Sequence, residues 1–100
     1  MPDVHDVTRV MAEKSAVVPG KRVKIDFGDE GFVMLDGVAE RVDNVDGPTD
    51  ATIRVSLADF LAMTDGKLSG TMAFMQGKLK VDGDMSVALK FQSVTAKLRG

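Results

Sequence analysis

The apolar residues of this chain keep two different periods, and the change from one to the other comes at Ser56. Upstream, Val23, Ile25 and Phe27 alternate with Arg22, Lys24 and Asp26. A period of two puts successive side chains on opposite faces, so this segment is a half-buried strand with one wet face. Gly28-Asp29-Glu30-Gly31 turns the chain into Phe32-Val33-Met34-Leu35, and the pair reads as an antiparallel hairpin. Asp36-Gly37 is a second turn signal. Glu40–Asn44 is a weaker strand, Asp46-Gly47-Pro48 a loop, and Thr52–Val55 a further strand with Ile53 and Val55 on one face. Ahead of the sheet, Asp3 or Asp6 caps a short helix running to about Ser15, with Val4, Val7, Val10 and Met11 along one side. Pro19-Gly20 ends that region.

From Ser56 onward the spacing is helical. Ser56 with Asp59 three residues later resembles a capping box and opens a helix over Leu57–Thr64, which places Leu57, Phe60 and Leu61 on one face. Asp65-Gly66 stops it. Ser69 caps a second short helix carrying Met72 and Met75, closed by Gly77. Lys78–Asp82 returns to alternation as a strand. After Gly83, Asp84 caps a last helix running to about Gln92. That helix has two apolar stripes, Met85, Ala88 and Leu89 on one side and Val87, Phe91 and Val94 on another. A helix apolar over more than one stripe must bury more than one side. One stripe packs on the sheet; the other needs a neighbouring helix or a ligand.

At 100 residues the chain is expected to form one domain over 1–100. A chain of this size buries roughly 60–70% of the surface its unfolded form exposes, enough for a single core. With 44% apolar and 28% charged residues, a disordered or collagen-like chain is excluded. The start, Met1-Pro2-Asp3-Val4-His5-Asp6, lacks the basic and apolar regions of a signal peptide. No apolar run approaches the ~18 residues of a membrane span. The expected location is cytoplasmic.

Charge is unevenly spread. Residues 26–50 hold eight acids against Arg41, and residues 76–100 hold Lys78, Lys80, Lys90, Lys97 and Arg99 against Asp82 and Asp84. Solvated strand and loop faces account for this. The sharper reading is a basic end that makes transient contact with anionic membranes. The formal net charge of -2 and the lack of basic clusters interleaved with aromatics argue against nucleic acid.

Catalytic chemistry finds little to work with. There is no cysteine, so no disulfide, thiolate nucleophile or Cys-ligated metal is available. His5 is the only histidine and stands near the start, where a frayed or capping position is expected rather than a general base. The glycines form neither a dinucleotide nor a Walker loop. Asn44-Val45-Asp46-Gly47 faintly resembles a calcium loop, but Val42 and Ile53 stand where its first and twelfth ligands belong. No catalytic residue and no metal site are expected, and the chain is read as a non-enzyme.

Three stretches then carry a resemblance. Asp50-Ala51-Thr52-Ile53-Arg54-Val55-Ser56 is a strand leading straight into a helix cap. Asp59-Phe60-Leu61-Ala62-Met63-Thr64-Asp65-Gly66-Lys67-Leu68 follows the pattern D-F-x-x-(L/M)-x-x-G-K-(L/M). Ala73-Phe74-Met75-Gln76-Gly77-Lys78-Leu79-Lys80-Val81-Asp82-Gly83-Asp84-Met85 is similar to A-F-x-x-G-K-(L/I)-K-(I/V)-x-G-(N/D)-M. In this order and spacing, from Ala51 to Gln92, they resemble the sterol carrier protein-2 (SCP-2) lipid-binding family.

The resemblance implies an α/β fold of the α+β kind: a mostly antiparallel five-stranded sheet, helices covering one face, and an apolar cavity between them. It implies non-enzymatic binding and transfer of sterols, fatty acids, acyl-CoA or phospholipids, with no cofactor. The lipid-binding residues it implies are Phe60, Leu61 and Met63 on the first helix of this half. Met72, Phe74, Met75 and Gln76 follow on the second, with Gln76 nearest the lipid as a polar group. Met85, Ala88, Leu89 and Phe91 belong to the last helix. A charge at Met75 is accordingly expected to abolish binding. Gly66, Gly77 and Gly83 are turn and cap positions. Departures are Ser69-Gly70 in place of Asn-Pro, Ser86 in place of Gly, and a short N-terminal region that leaves the site more open or reliant on a homodimer mate. Four of the seven methionines (63, 72, 75 and 85) fall in these motifs, where a flexible side chain suits a variable hydrocarbon guest. The alternative is a structural or interaction module of the same fold, its cavity filled by its own Met and Phe side chains, acting through dimerisation or a partner protein.

Overall fold

A computed structural model of the chain describes residues 3–90. The alternating segment becomes strand β1 (Arg22–Asp26), with Val23 and Ile25 fully buried and its charged residues on the other face. Phe27, placed in this strand by its spacing, leaves it to begin a 3-10 turn at Gly28–Glu30, yet its ring stays buried. The turn leads into β2 (Phe32–Asp36), antiparallel to β1 with Val23 opposite Leu35 and Ile25 opposite Val33. β3 (Arg41–Asp43) adds antiparallel to β2, and β4 (Ala51–Val55) and β5 (Leu79–Gly83) form a second antiparallel pair.

The strand order is β3-β2-β1-β4-β5, so β1 is central. Three of the four pairings are antiparallel. The fourth, β1 with β4, is parallel, with Ile25 opposite Ile53. A parallel pair requires a crossover. Here residues 44–50 carry the chain from edge strand β3 to the far side of β1. Along this path the Lys24 ammonium lies 3.0 Å from Asp46 Oδ1 and 4.7 Å from the centre of the Phe32 ring. Val45, Asp46, Gly47 and Pro48 lie beside Met34, which is buried on the face opposite the main core.

That core lies on the other face, between the inward strand side chains and the helices. α1 (Val4–Glu13) brings Val7 and Met11, α2 (Leu57–Thr64) brings Leu57, Phe60 and Met63, and α3 (Gly70–Met75) brings Ala73. A fourth helix, α4, starts at residue 85 and is described to residue 90; it adds Val87. The part of the last helix expected beyond residue 90, with Phe91 and Val94, lies outside the described residues. The protein is thus an α+β fold with a mixed, mostly antiparallel five-stranded sheet.

Local chemistry sets the helix ends. Asp3 caps α1 in a reciprocal capping box with Asp6, so both expected candidates take part. The helix ends at Glu13 rather than near Ser15 because Ser15 takes a left-handed backbone (φ 50°). Ser56 and Ser69 accept the backbone N–H of Asp59 and Met72 at 3.1 and 3.0 Å. Gly37 shows why one turn position is glycine. A Cβ there would meet the Val18 carbonyl oxygen, because backbone 18–21 and Gly37 exchange hydrogen bonds.

Candidate functional site

Helix α4 turns two ways, as its two stripes demand. Val87, on one stripe, is 1% exposed and belongs to the core. Met85, Ala88 and Leu89, on the other stripe at i, i+3 and i+4, face a groove of about 210 Å³. Its floor is the inner face of the last two strands, Ile53 of β4 with Leu79 and Val81 of β5. Met63 comes in from α2, and Gly70, Thr71 and Phe74 from α3. None of the ten lining residues is charged, and only Thr71 adds a side-chain polar group. The groove lies over the edge strand β5, beneath the six-residue α3 and the described part of α4.

The starts of the surrounding elements are fixed by hydrogen bonds outside the groove. Asp84 Oδ1 accepts the Ser86 backbone N–H at 2.9 Å and the Ser86 hydroxyl at 2.7 Å. Those two bonds, the hydroxyl first, hold the Asp84 carboxyl below the usual carboxylate range. Ser86 therefore belongs to the helix cap and is exposed. The Asp84 backbone N–H donates to the Asp50 carbonyl at 2.9 Å, tying the start of α4 to the start of β4. Gly66, Gly77 and Gly83 all have left-handed φ (79°, 74° and 96°), as turn and cap positions require. The arrangement offers apolar burial; among the described residues no group of three or more His, Asp or Glu side chains is placed to hold a metal ion.

Of the eleven residues expected to form a lipid site, Met63, Phe74, Met85, Ala88 and Leu89 line this one groove. Five others are not among its lining residues. Phe60 is 1% exposed inside the core, where its ring meets Phe27 edge-on with centroids 5.3 Å apart. Leu61 is half-buried against the same core. Met72, Met75 and Gln76 are exposed. The reason lies in the geometry of a six-residue helix: Ala73 takes the inward position and Phe74 the groove, which turns Met72 and Met75 outward. Gln76 is the C-cap of α3, beyond the groove. The eleventh residue, Phe91, lies outside the described residues. The strand residues Ile53, Leu79 and Val81 were not among the expected set. Their alternation marks them as inward-facing, but nothing local tells a filled interior from a groove floor.

The model of the SCP-2 sterol transfer family matches residues 7–96. Human "Sterol carrier protein 2" is 45% identical over 51 residues, which cover 51% of this chain and 9% of the human protein. Among solved structures, palmitated SCP2L2 from Aedes aegypti is 29% identical, with 89% of each chain covered and a TM-score of 0.63. Sterol Carrier Protein-2 from Aedes aegypti, in complex with palmitate, superposes with a TM-score of 0.75 over 97% of this chain and 98% of that one; at 19% identity the likeness is one of fold alone. The motifs, the strand order and this match over most of its length place the chain in the SCP-2 sterol transfer family.

Proposed function

We propose that this chain is a non-enzymatic lipid carrier that takes the hydrocarbon part of a fatty acid, acyl-CoA, sterol or phospholipid into the groove between α3, α4 and the β4–β5 face. The observation that carries the reading is the lining: ten uncharged residues, with Met63, Phe74, Met85 and Leu89 as the large movable ones. Burying each methylene of a guest contributes about 0.8 kcal/mol, less the ordering cost of chain and side chains. Three methionine or leucine side chains on separate helical positions let the walls adjust to the guest. The palmitate held by two relatives of this fold supports the same class of ligand.

Displacement of a fluorescent fatty acid by palmitate, with native mass spectrometry of the gently purified protein, tests the reading. Stoichiometric lipid and micromolar displacement are expected. No bound species and no displacement would sink it.

One observation favours a second reading. The groove, at about 210 Å³, is smaller than the ~300–1,000 Å³ typical of small-molecule sites, as in a module whose cavity is filled by its own Met and Phe side chains. That module would bind a partner protein or a second copy and carry no lipid, so the same experiment separates the two.

A further inference from the structure

The two edges of the sheet are unlike. β3 has three residues and lies against α1, whereas β5 has five, with no proline and no charged side chain on its inner face. Lys80 of β5 stands opposite Arg54 and Asp82 opposite Thr52, and the Asp84 N–H continues the same ladder to the Asp50 carbonyl. Backbone groups of alternate residues point to the same side of a strand. Lys80 and Asp82 therefore bond to β4, and the N–H and C=O groups of Leu79, Val81 and Gly83 point outward. Among the described residues none takes those outward groups. An open row of this kind is a template for another strand.

The side chains add a charge pattern. Lys80 and Asp82 are both exposed, on the outer face of the sheet. Within the chain Lys80 meets a like charge, Arg54, whose guanidinium is held by Asp82 at 2.7 Å and Asp26 at 3.8 Å. Like charges directly opposite one another are unfavourable. Among the described residues no carboxylate forms an ion pair with Lys80.

We infer that β5 pairs antiparallel with β5 of a second copy of this chain about a two-fold axis at Val81, joining the two five-stranded sheets into one. A two-fold contact requires a surface that is its own complement. With the axis at Val81, each Val81 exchanges both backbone bonds with its copy, and Lys80 of each chain stands opposite Asp82 of the other. Moving the axis by one residue sets Lys80 against Lys80 or Asp82 against Asp82. Charge therefore selects one register, in which the second copy brings Lys80 the carboxylate it lacks. These Lys80–Asp82 pairs are of the kind without backbone bonds, in which opposed side chains come closest. A single edge lysine would only ward off foreign strands. Lysine and aspartate two positions apart on one face match a reversed copy of themselves. The seam also changes the inner face. Leu79 and Val81 belong to the groove floor, so the floors of two grooves run into one another, beside Met85 and Leu89, which are 50 and 65% exposed. The pairing rests on strand geometry and charge and needs no bound guest.

The test is sedimentation of the full chain over a range of concentrations, where a monomer–dimer equilibrium is expected. Val81→Pro removes an outward N–H that β4 does not use and should weaken the dimer about tenfold or more. Lys80→Asp sets an acid opposite Asp82 of the copy and should weaken it about fivefold; adding Asp82→Lys should restore it. Circular dichroism checks that each variant folds. The register is read independently, because the chain has no cysteine. Under mild oxidation, Lys80→Cys mixed with Asp82→Cys should give about fivefold more disulfide-linked dimer than either variant alone, since only the mixed pair stands directly opposed at a Cα separation of ~4.5 Å. A chain that stays monomeric at every concentration overturns the inference, as does a dimer that Val81→Pro and Lys80→Asp both leave intact. Equal cross-linking in mixed and unmixed samples overturns the register, and the inference with it. A dimer lost in Met75→Ser but kept in Val81→Pro assigns the contact to the exposed side of α3 and also overturns it. Fatty-acid displacement reads the carrier function separately, so failure of the carrier reading is distinguishable from failure of the strand pairing.

Discussion

Arg22 and Asp50 are joined twice. The Arg22 backbone N–H donates to Asp50 Oδ2 at 2.8 Å, and the Asp50 backbone N–H donates to the Arg22 carbonyl at 2.8 Å. The pair closes the start of the parallel β1–β4 junction. The Asp50 carbonyl in turn accepts from Asp84 at the head of α4, one wall of the groove.

Asp50→Ala removes only the side-chain half of this connection. It is expected to destabilise the fold by about 0.5–1.5 kcal/mol, the worth of one exposed hydrogen bond to a carboxylate, read as a lower urea midpoint with unchanged slope. The Asp50 backbone bonds survive the change, so the groove should keep its shape and its fatty-acid affinity.

Groove and outer helix face respond differently to charge. Met85→Asp places a carboxylate in the apolar lining and should weaken displacement of a fluorescent fatty acid at least tenfold, about 1.4 kcal/mol. Met75→Asp lies outside the lining and should leave that affinity within about threefold. Equal losses at the two positions would mean that the lipid binds on α3 rather than in the groove.

Phe60 lies in the core and is not among the groove's lining residues. Phe60→Ala removes a fully buried ring and its edge-to-face contact with Phe27, and should cost about 3–5 kcal/mol in chemical denaturation. Phe60→Leu keeps most of the volume and should retain the fold at a smaller cost.

Two carboxyls make stability fall in acid. Asp36 accepts from the Ala39 and Val38 backbone N–H groups at 2.9 and 3.0 Å, with the Arg22 guanidinium at 3.4 Å, and these hold it below the usual carboxylate range. Asp84 is lowered by Ser86 in the same sense. A carboxyl whose folded pKa is depressed adds stability above its unfolded pKa, near 4, and loses it as pH falls through the lower folded value. Thermal midpoints should therefore be flat above about pH 5 and drop below about pH 4. In Asp36→Asn the midpoint should be lower at neutral pH and fall less steeply in acid.

Much of this could be read from residue order. The alternation of Val23 and Ile25, the Ser56 and Ser69 caps and the left-handed glycines at 66, 77 and 83 each depend on neighbours a few positions away, and the structure keeps all of them. The two stripes of the last helix already implied two burial partners, and Val87 and Met85 divide between core and groove accordingly. Phe60, Met75 and Gln76 were beyond that reach. Motif position puts them beside Met63 and Phe74, but which side of a short helix faces inward is set by what packs against it. Ala73 closing on β5 turns Met75 out, and Phe27, across the parallel junction, takes Phe60 into the core. The parallel register of β1 with β4 was likewise undetermined by local pattern, because alternation marks a strand's faces and says nothing of its neighbour. Periodicity and capping are short-range effects and are written into the sequence; burial direction and strand order arise from long-range packing, which only the folded chain decides.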